Sequence, residues 1–175
     1  MNKILILYKS STGFTKRYAE MIAEEVGCKL VDFKEATVEM ASAYDVVVFG
    51  SRAHAGMIDG YKKAREMSQK AGADQFVLFV TGATPNSEKE TIEEFWRQNL
   101  TEDEYVKIPH FYMQAGLCYE RMSLPDKLMM KVAAIILKRK KDKGQFDKKF
   151  EQAISSSYDI TSREYIKPLV SFLKK

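Results

Sequence analysis

Five short apolar runs, at residues 4–8, 28–33, 46–49, 75–80 and 107–116, alternate with stretches of helical periodicity along this chain, and that alternation constrains the fold more than any other feature. Val46-Val47-Val48-Phe49 is an unbroken β-branched and aromatic run of the kind buried on both faces of a sheet. Burial on both faces requires helices on each side, and strand–helix–strand units of this length make right-handed crossovers between parallel strands. The expected architecture is therefore an α/β doubly wound, five-stranded parallel sheet with helices on both faces. The predicted helices cover residues 15–26, with Tyr18, Ala19, Ile22, Ala23 and Val26 on one face and Gly27 as the stop, then 38–44, 59–71, 87–99 and a closing helix at 162–173. Ser87-Glu88-Lys89-Glu90 matches a capping box for the fourth. Pro109, inside the fifth run, predicts an edge strand or a bulge.

A chain of 175 residues is long enough for one domain with a sizeable core, so residues 1–175 are expected to form a single domain. With 45% hydrophobic and 30% charged residues it has the composition of a soluble globular protein, with no apolar run of membrane-spanning length. Met1-Asn2-Lys3 leads straight into a strand without signal-peptide anatomy, which predicts a cytoplasmic protein. Cys28 and Cys118 have no ligand spacing, so unpaired thiols and no metal site are expected.

In doubly wound sheets, ligands sit at the carboxyl ends of the strands near the point where the winding reverses. The loops after the first, third and fourth strands are residues 10–15, 50–60 and 81–86. The first, Ser10-Ser11-Thr12-Gly13-Phe14-Thr15, joins a strand to a helix start, where unpaired N–H groups and the dipole favour an anion. Gly13 allows close backbone approach, and four hydroxyls add donors without positive charge. A triphosphate loop would carry Gly-Lys-Ser/Thr and a dinucleotide loop Gly-x-Gly-x-x-Gly, and neither is present. The pattern Ser/Thr-x-Thr-Gly-x-Thr after the first strand resembles the flavin mononucleotide (FMN) phosphate loop of the flavodoxin family. The same residues would also serve as a plain turn and N-cap.

The resemblance implies FMN as cofactor, held by Ser10, Ser11, Thr12, Gly13, Phe14 and Thr15, with Ala53, His54, Ala55 and Gly56 of the second loop and Thr81, Gly82, Ala83 and Thr84 of the third against the ring. Arg52 and His54 are candidates for the flavin edge or an anionic substrate, or else solvated loop side chains. His110 is expected to be structural. No acid, base or nucleophile is identifiable, as expected where the flavin carries the chemistry.

Between the fifth strand and the closing helix lies an insertion at about residues 117–158. From Arg121 to Lys149 it holds ten Lys/Arg against three Asp, a net +7; the whole chain is +4, so the remainder is −3. Ser123-Leu124-Pro125-Asp126 starts a helix on which Lys127, Lys131 and Lys138 form one narrow stripe and apolar residues occupy the rest. That arc is wider than a surface helix needs, so the helix is either buried on two sides or presents apolar surface to a partner. The cluster Lys138-Arg139-Lys140-Lys141 would be attracted to anionic lipid, giving a peripheral membrane contact through residues 124–143.

Gln114-Ala115-Gly116-Leu117, residues 119–122, Asp126-Lys127-Leu128-Met129-Met130-Lys131 and the closing helix together resemble the flavodoxin-type, menaquinone-dependent protoporphyrinogen oxidase family. That resemblance implies a porphyrinogen as organic donor, a quinone as acceptor and a place on the cytoplasmic face of the membrane. In the second loop Gly50 and Gly56 fit the pattern, while Ala55 stands where an aromatic residue is expected. The alternative is a soluble flavodoxin-type electron carrier with a protein acceptor. Such carriers are usually strongly acidic, and this chain is not. Nucleic acid is not an expected partner, because the basic run 138–149 lacks interleaved aromatics for base stacking.

Overall fold

The computed structural model describes residues 2–139 and 156–175. Lys140, Lys141, Lys143, Lys148 and Lys149 of the basic cluster lie outside the described residues. The chain divides into two compact units, one formed by residues 1–115 and 161–175 and the other by 116–160.

The first unit is built on strands β1 (Ile4–Tyr8), β2 (Lys29–Asp32), β3 (Val46–His54), β4 (Met57–Ile58), β5 (Gln75–Gly82) and β6 (His110–Gln114). Five of them run parallel in the order β2-β1-β3-β5-β6, and β4 pairs antiparallel with β3. The helices are α1 (Phe14–Val26), α2 (Val38–Ala41), α3 (Tyr61–Ala71), α4 (Lys89–Asn99), α5 (Glu102–Lys107) and, after the second unit, α7 (Lys167–Leu173). The winding reverses between β1 and β3, the position that the flavodoxin resemblance implies.

Register places Leu5 beside Val47 and Leu7 beside Phe49, and Val48 beside Val77. Leu5, Leu7, Val47, Phe49, Leu78 and Val80 pack with Tyr61 and Ala64 of α3, Trp96 of α4 and Leu100 just after it. By the two-residue period of a strand, Ile6, Val48, Val77 and Phe79 face the other side, and all four are fully buried. That side is covered by α1 through Tyr18, Ala19 and Ile22, against which α7 packs. Each fully buried side chain of this size contributes roughly 1.5–3 kcal/mol, so the sheet core is the main source of stability.

Several boundaries differ from the sequence reading, among them that of α2, which ends at Ala41 and not at residue 44. The fifth strand starts at His110, not at residue 107, because Thr101 and Glu104 form a capping box that winds Glu102–Lys107 into α5. Pro109 thus precedes the strand, where its carbonyl accepts from Leu78 N at 2.9 Å. Ser87 is not the cap of α4: the helix opens at Lys89 behind Glu88, with no side-chain cap. The closing helix is a 3-10 turn, Arg163–Ile166, followed by the seven residues of α7.

In the second unit, a 3-10 turn at Tyr119–Arg121 precedes α6 (Leu124–Arg139). Asp126 N donates to the Ser123 hydroxyl at 3.3 Å, so the expected helix start is present. Leu117 and Tyr158 close the neck of the unit with reciprocal backbone bonds of 3.0 and 2.9 Å. Gly116 fits this neck because a Cβ there would lie 2.0 Å from the Tyr158 carbonyl oxygen. Part of the apolar arc of α6 is exposed: Leu124 is 81% exposed and Leu128 64%, with Val132, Ile135 and Ile136 also exposed.

Candidate functional site

The carboxyl ends of β1, β3 and β5 bring the three selected segments together. After Tyr8 the chain turns through Ser10, Ser11 and Thr12 to Gly13, which opens α1 with φ 99° and ψ −16°. This left-handed conformation is one that glycine adopts without a steric penalty. Gly13 N donates to the Ser10 hydroxyl at 3.2 Å, which folds the turn back on itself. The first turn of α1 contains no acidic residue, so nothing opposes the positive end of a thirteen-residue helix.

Thr15 and Thr81, both buried, meet hydroxyl to hydroxyl at 2.8 Å, and the Thr81 hydroxyl also lies 3.4 Å from the Ser51 carbonyl. Ser51 in turn donates to the Asp59 carbonyl at 2.5 Å. One buried polar chain thus fixes the spacing of the first, second and third segments from below. Hydroxyls in such a low-dielectric setting hold position because losing one leaves its partner unsatisfied.

The second segment is not an open loop. β3 runs on past Gly50 and Ser51 through Ala53 to His54, then turns at Ala55 and Gly56 into β4, pairing His54 with Met57 and Ala53 with Ile58. Ala55 (φ 50°) and Gly56 (φ 79°) both have positive φ, the geometry of a two-residue hairpin turn matched to strand twist. Alanine is strained there. Ala55→Gly is expected to stabilise the protein by about 1 kcal/mol, read as a higher urea midpoint at unchanged slope.

Arg52 and Lys9 converge on Asp59, Arg52 Nε at 3.4 Å and Lys9 Nζ at 2.6 Å. Burial pushes the Asp59 carboxyl up, but the two cations outweigh it and hold the group below the usual carboxylate range. Arg52 is therefore tied into an ion-pair cluster at the hairpin base, while His54 is half-buried on β3. His110 lies elsewhere, between the Trp96 and Tyr105 rings with Nδ1 2.7 Å from the Ile108 carbonyl, a structural position as expected.

At the third segment, Thr81 and Gly82 end β5, and Ala83 and Thr84 follow it half-buried. A Cβ on Gly82 would meet the Tyr112 hydroxyl at 2.4 Å. Asn86 and Gln114 exchange backbone-to-side-chain bonds of 3.1 Å in each direction, fixing this loop to the end of β6. Sequence reasoning included both residues, in the third loop and in the Gln114–Leu117 stretch, but not their bond to each other, and it missed Asn99, whose amide bonds the hairpin. An Asn or Gln at a loop or helix end carries no signal of its partner. Burial pushes the Cys28 thiol up to about 11. Among the described residues no group of three or more His, Cys, Asp or Glu could hold a metal ion.

A Flavodoxin domain family matches the chain over residues 5–144, which includes the Ser10–Thr15 turn, both other segments and α6. The chain belongs to the flavodoxin family. This flavodoxin domain is similar to a WrbA-like flavodoxin from Agrobacterium tumefaciens at 20% identity, covering 72% of this chain and 88% of that one with a TM-score of 0.42. It is similar to the two-electron reduced flavodoxin of Megasphaera elsdenii at 19% identity over 62% and 82% of the two chains, TM-score 0.44. A flavoprotein from Lactobacillus acidophilus in complex with FMN is similar at 21% identity over 65% and 93%, TM-score 0.42. Comparison with curated proteins gave no match.

Proposed function

We propose that this flavodoxin-family chain is an FMN-dependent oxidoreductase that passes electrons from an organic donor, a porphyrinogen by its sequence resemblance, to a quinone-type acceptor at the cytoplasmic face of a membrane. The observation that carries the cofactor is the left-handed Gly13 opening α1 behind a hydroxyl-rich turn at the winding reversal. The donor set fits a phosphate monoester: N–H groups of a helix start and the hydroxyls of Ser10, Ser11 and Thr12, with no acid in the first turn. Among the described residues there is no second glycine-rich turn for a pyrophosphate, which favours FMN over FAD. When bound, FMN supplies reversible redox chemistry that no side chain of this site offers. Residues 10–13 would hold the phosphate, and residues 53–56 and 81–84 would flank the ring. The buried Thr15–Thr81–Ser51 chain keeps those segments in register.

The second unit supports the membrane side of the reading. No described helix is long and apolar enough to cross a membrane. Instead α6 exposes an apolar face beside a groove of about 420 Å³ lined by Tyr119, Glu120, Leu124, Lys127, Leu128 and Lys131. Apolar area next to cations gives the two signals that reversible attachment to an anionic surface needs.

Mass analysis of the released cofactor, anaerobic titration with porphyrinogens and quinones followed by flavin absorbance, and co-sedimentation with anionic vesicles test the proposal. FMN, quinone-dependent reoxidation and low-salt sedimentation are expected. Lys127→Glu with Lys131→Glu should lower vesicle partitioning by about tenfold or more and spare FMN. FAD or no flavin overturns the cofactor; FMN without quinone reoxidation or vesicle binding leaves a soluble carrier.

A further inference from the structure

In the two-stranded ribbon formed by β3 and β4, the Arg52 carbonyl accepts from Asp59 N at 3.2 Å and His54 pairs with Met57 at the turn. Antiparallel pairs alternate between bonded and non-bonded, so the Ile58 N–H between them points away from β3. The Gly56 carbonyl lies on the same outer edge, two residues earlier. An edge of this kind needs partners for both groups. The Asn99 side chain supplies them: Oδ1 accepts from Ile58 N at 2.8 Å, and Nδ2 donates to the Gly56 carbonyl at 2.8 Å. Nδ2 also donates to the Phe95 carbonyl at 2.8 Å. One acceptor meets one donor and two donors meet two carbonyls, so only one orientation of the amide satisfies the set. The carboxamide acts as a one-residue strand against the hairpin edge.

Asn99 is itself firmly placed. It is the last residue of α4, followed by the buried Leu100, whose N–H bonds the Trp96 carbonyl, and by the Thr101–Glu104 capping box of α5. We infer that Asn99 is a positioning residue for the flavin site, fixing from α4 the height and tilt of the hairpin turn Ala53–Gly56; this rests on the FMN reading above. Backbone groups of the loops beside a flavin tune its affinity and potential. Fixing the Gly56 carbonyl and the Ile58 N–H therefore sets both.

The test uses Asn99→Ala, Asn99→Asp and, as a control for stability, Thr101→Ala, which removes the α5 cap without touching the hairpin. Asn99→Asp keeps an acceptor for Ile58 N but sets an oxygen against the Gly56 and Phe95 carbonyls. FMN affinity by fluorescence quenching, the midpoint potential of the bound flavin and the thermal midpoint of the apoprotein are measured for each. Both Asn99 variants should weaken FMN about tenfold and shift the potential, while Thr101→Ala lowers only the thermal midpoint. In the apoprotein, Ile58 amide exchange should accelerate in Asn99→Ala. Unchanged affinity and potential in the Asn99 variants, or equal changes in Thr101→Ala, overturn the positioning role. Wild-type protein that takes up no FMN overturns the flavin reading beneath it, and is seen before any variant is made.

Discussion

Gly50→Ala is expected to destabilise the protein by about 3 kcal/mol, because there is no room for a single methyl group at that point of the sheet. Gly50 stands in register between Tyr8 of β1 and Phe79 of β5, and the Phe79 ring lies across it. A Cβ there would be 2.0 Å from Phe79 Cζ and 2.3 Å from Cε1. Phe79 is fully buried, so its ring cannot swing into solvent to make space. Urea unfolding measures the effect as a lower midpoint at unchanged slope. Phe79→Leu vacates the volume that the methyl needs. The double variant should therefore be more stable than the sum of the single losses predicts, by about 1–2 kcal/mol. A Gly50→Ala midpoint equal to wild type would mean that the ring relocates at no cost.

Gly13→Val should weaken FMN binding by at least about a hundredfold, equivalent to about 2.7 kcal/mol. Two effects combine. A β-branched residue at φ 99° strains the turn, and its side chain blocks approach to the N–H groups of the helix start. Gly13→Asn separates them, since asparagine tolerates positive φ while still filling the approach. Calorimetric titration with FMN should find both variants defective, with the thermal midpoint lowered mainly in Gly13→Val. Wild-type affinity in Gly13→Asn would reduce residues 10–15 to a simple turn.

Much of the sheet was legible because its strands are apolar on both faces, and short β-branched runs such as Val46–Phe49, alternating with amphipathic helices, suit a sheet covered on both sides. The winding order that the flavodoxin resemblance implies then pointed to the segments after β1, β3 and β5 without any knowledge of their conformation. What escaped had weak or contrary local signals. The hairpin turn at Ala55–Gly56 was hidden because alanine disfavours positive φ, and tertiary pairing overrides that preference. Helix α5 spans only six residues, one of them the 80% exposed Val106, and its only cue was the Thr101-x-x-Glu104 spacing. Residues 87–90 carry the same kind of cue, and the helix there begins without using it. Thr15 and Thr81 could be assigned to a ligand loop from sequence, but their bond to each other joins positions 66 residues apart and has no sequence signature.

The Tyr18 hydroxyl donates to the Gln114 carbonyl at 2.5 Å and accepts from Ser162 N at 3.2 Å. One phenol of α1 therefore grips the chain both where it leaves the sheet and where it comes back. With exit and return pinned, the number of residues spooled out between them has little thermodynamic weight. Each doubling of a loop costs only about 0.6 kcal/mol, so growing a short connection about eightfold costs about 2 kcal/mol. Lineages can lengthen, shorten or rewrite residues 116–160 at that modest toll, and adapt this flavodoxin body to new surroundings without redesigning its sheet.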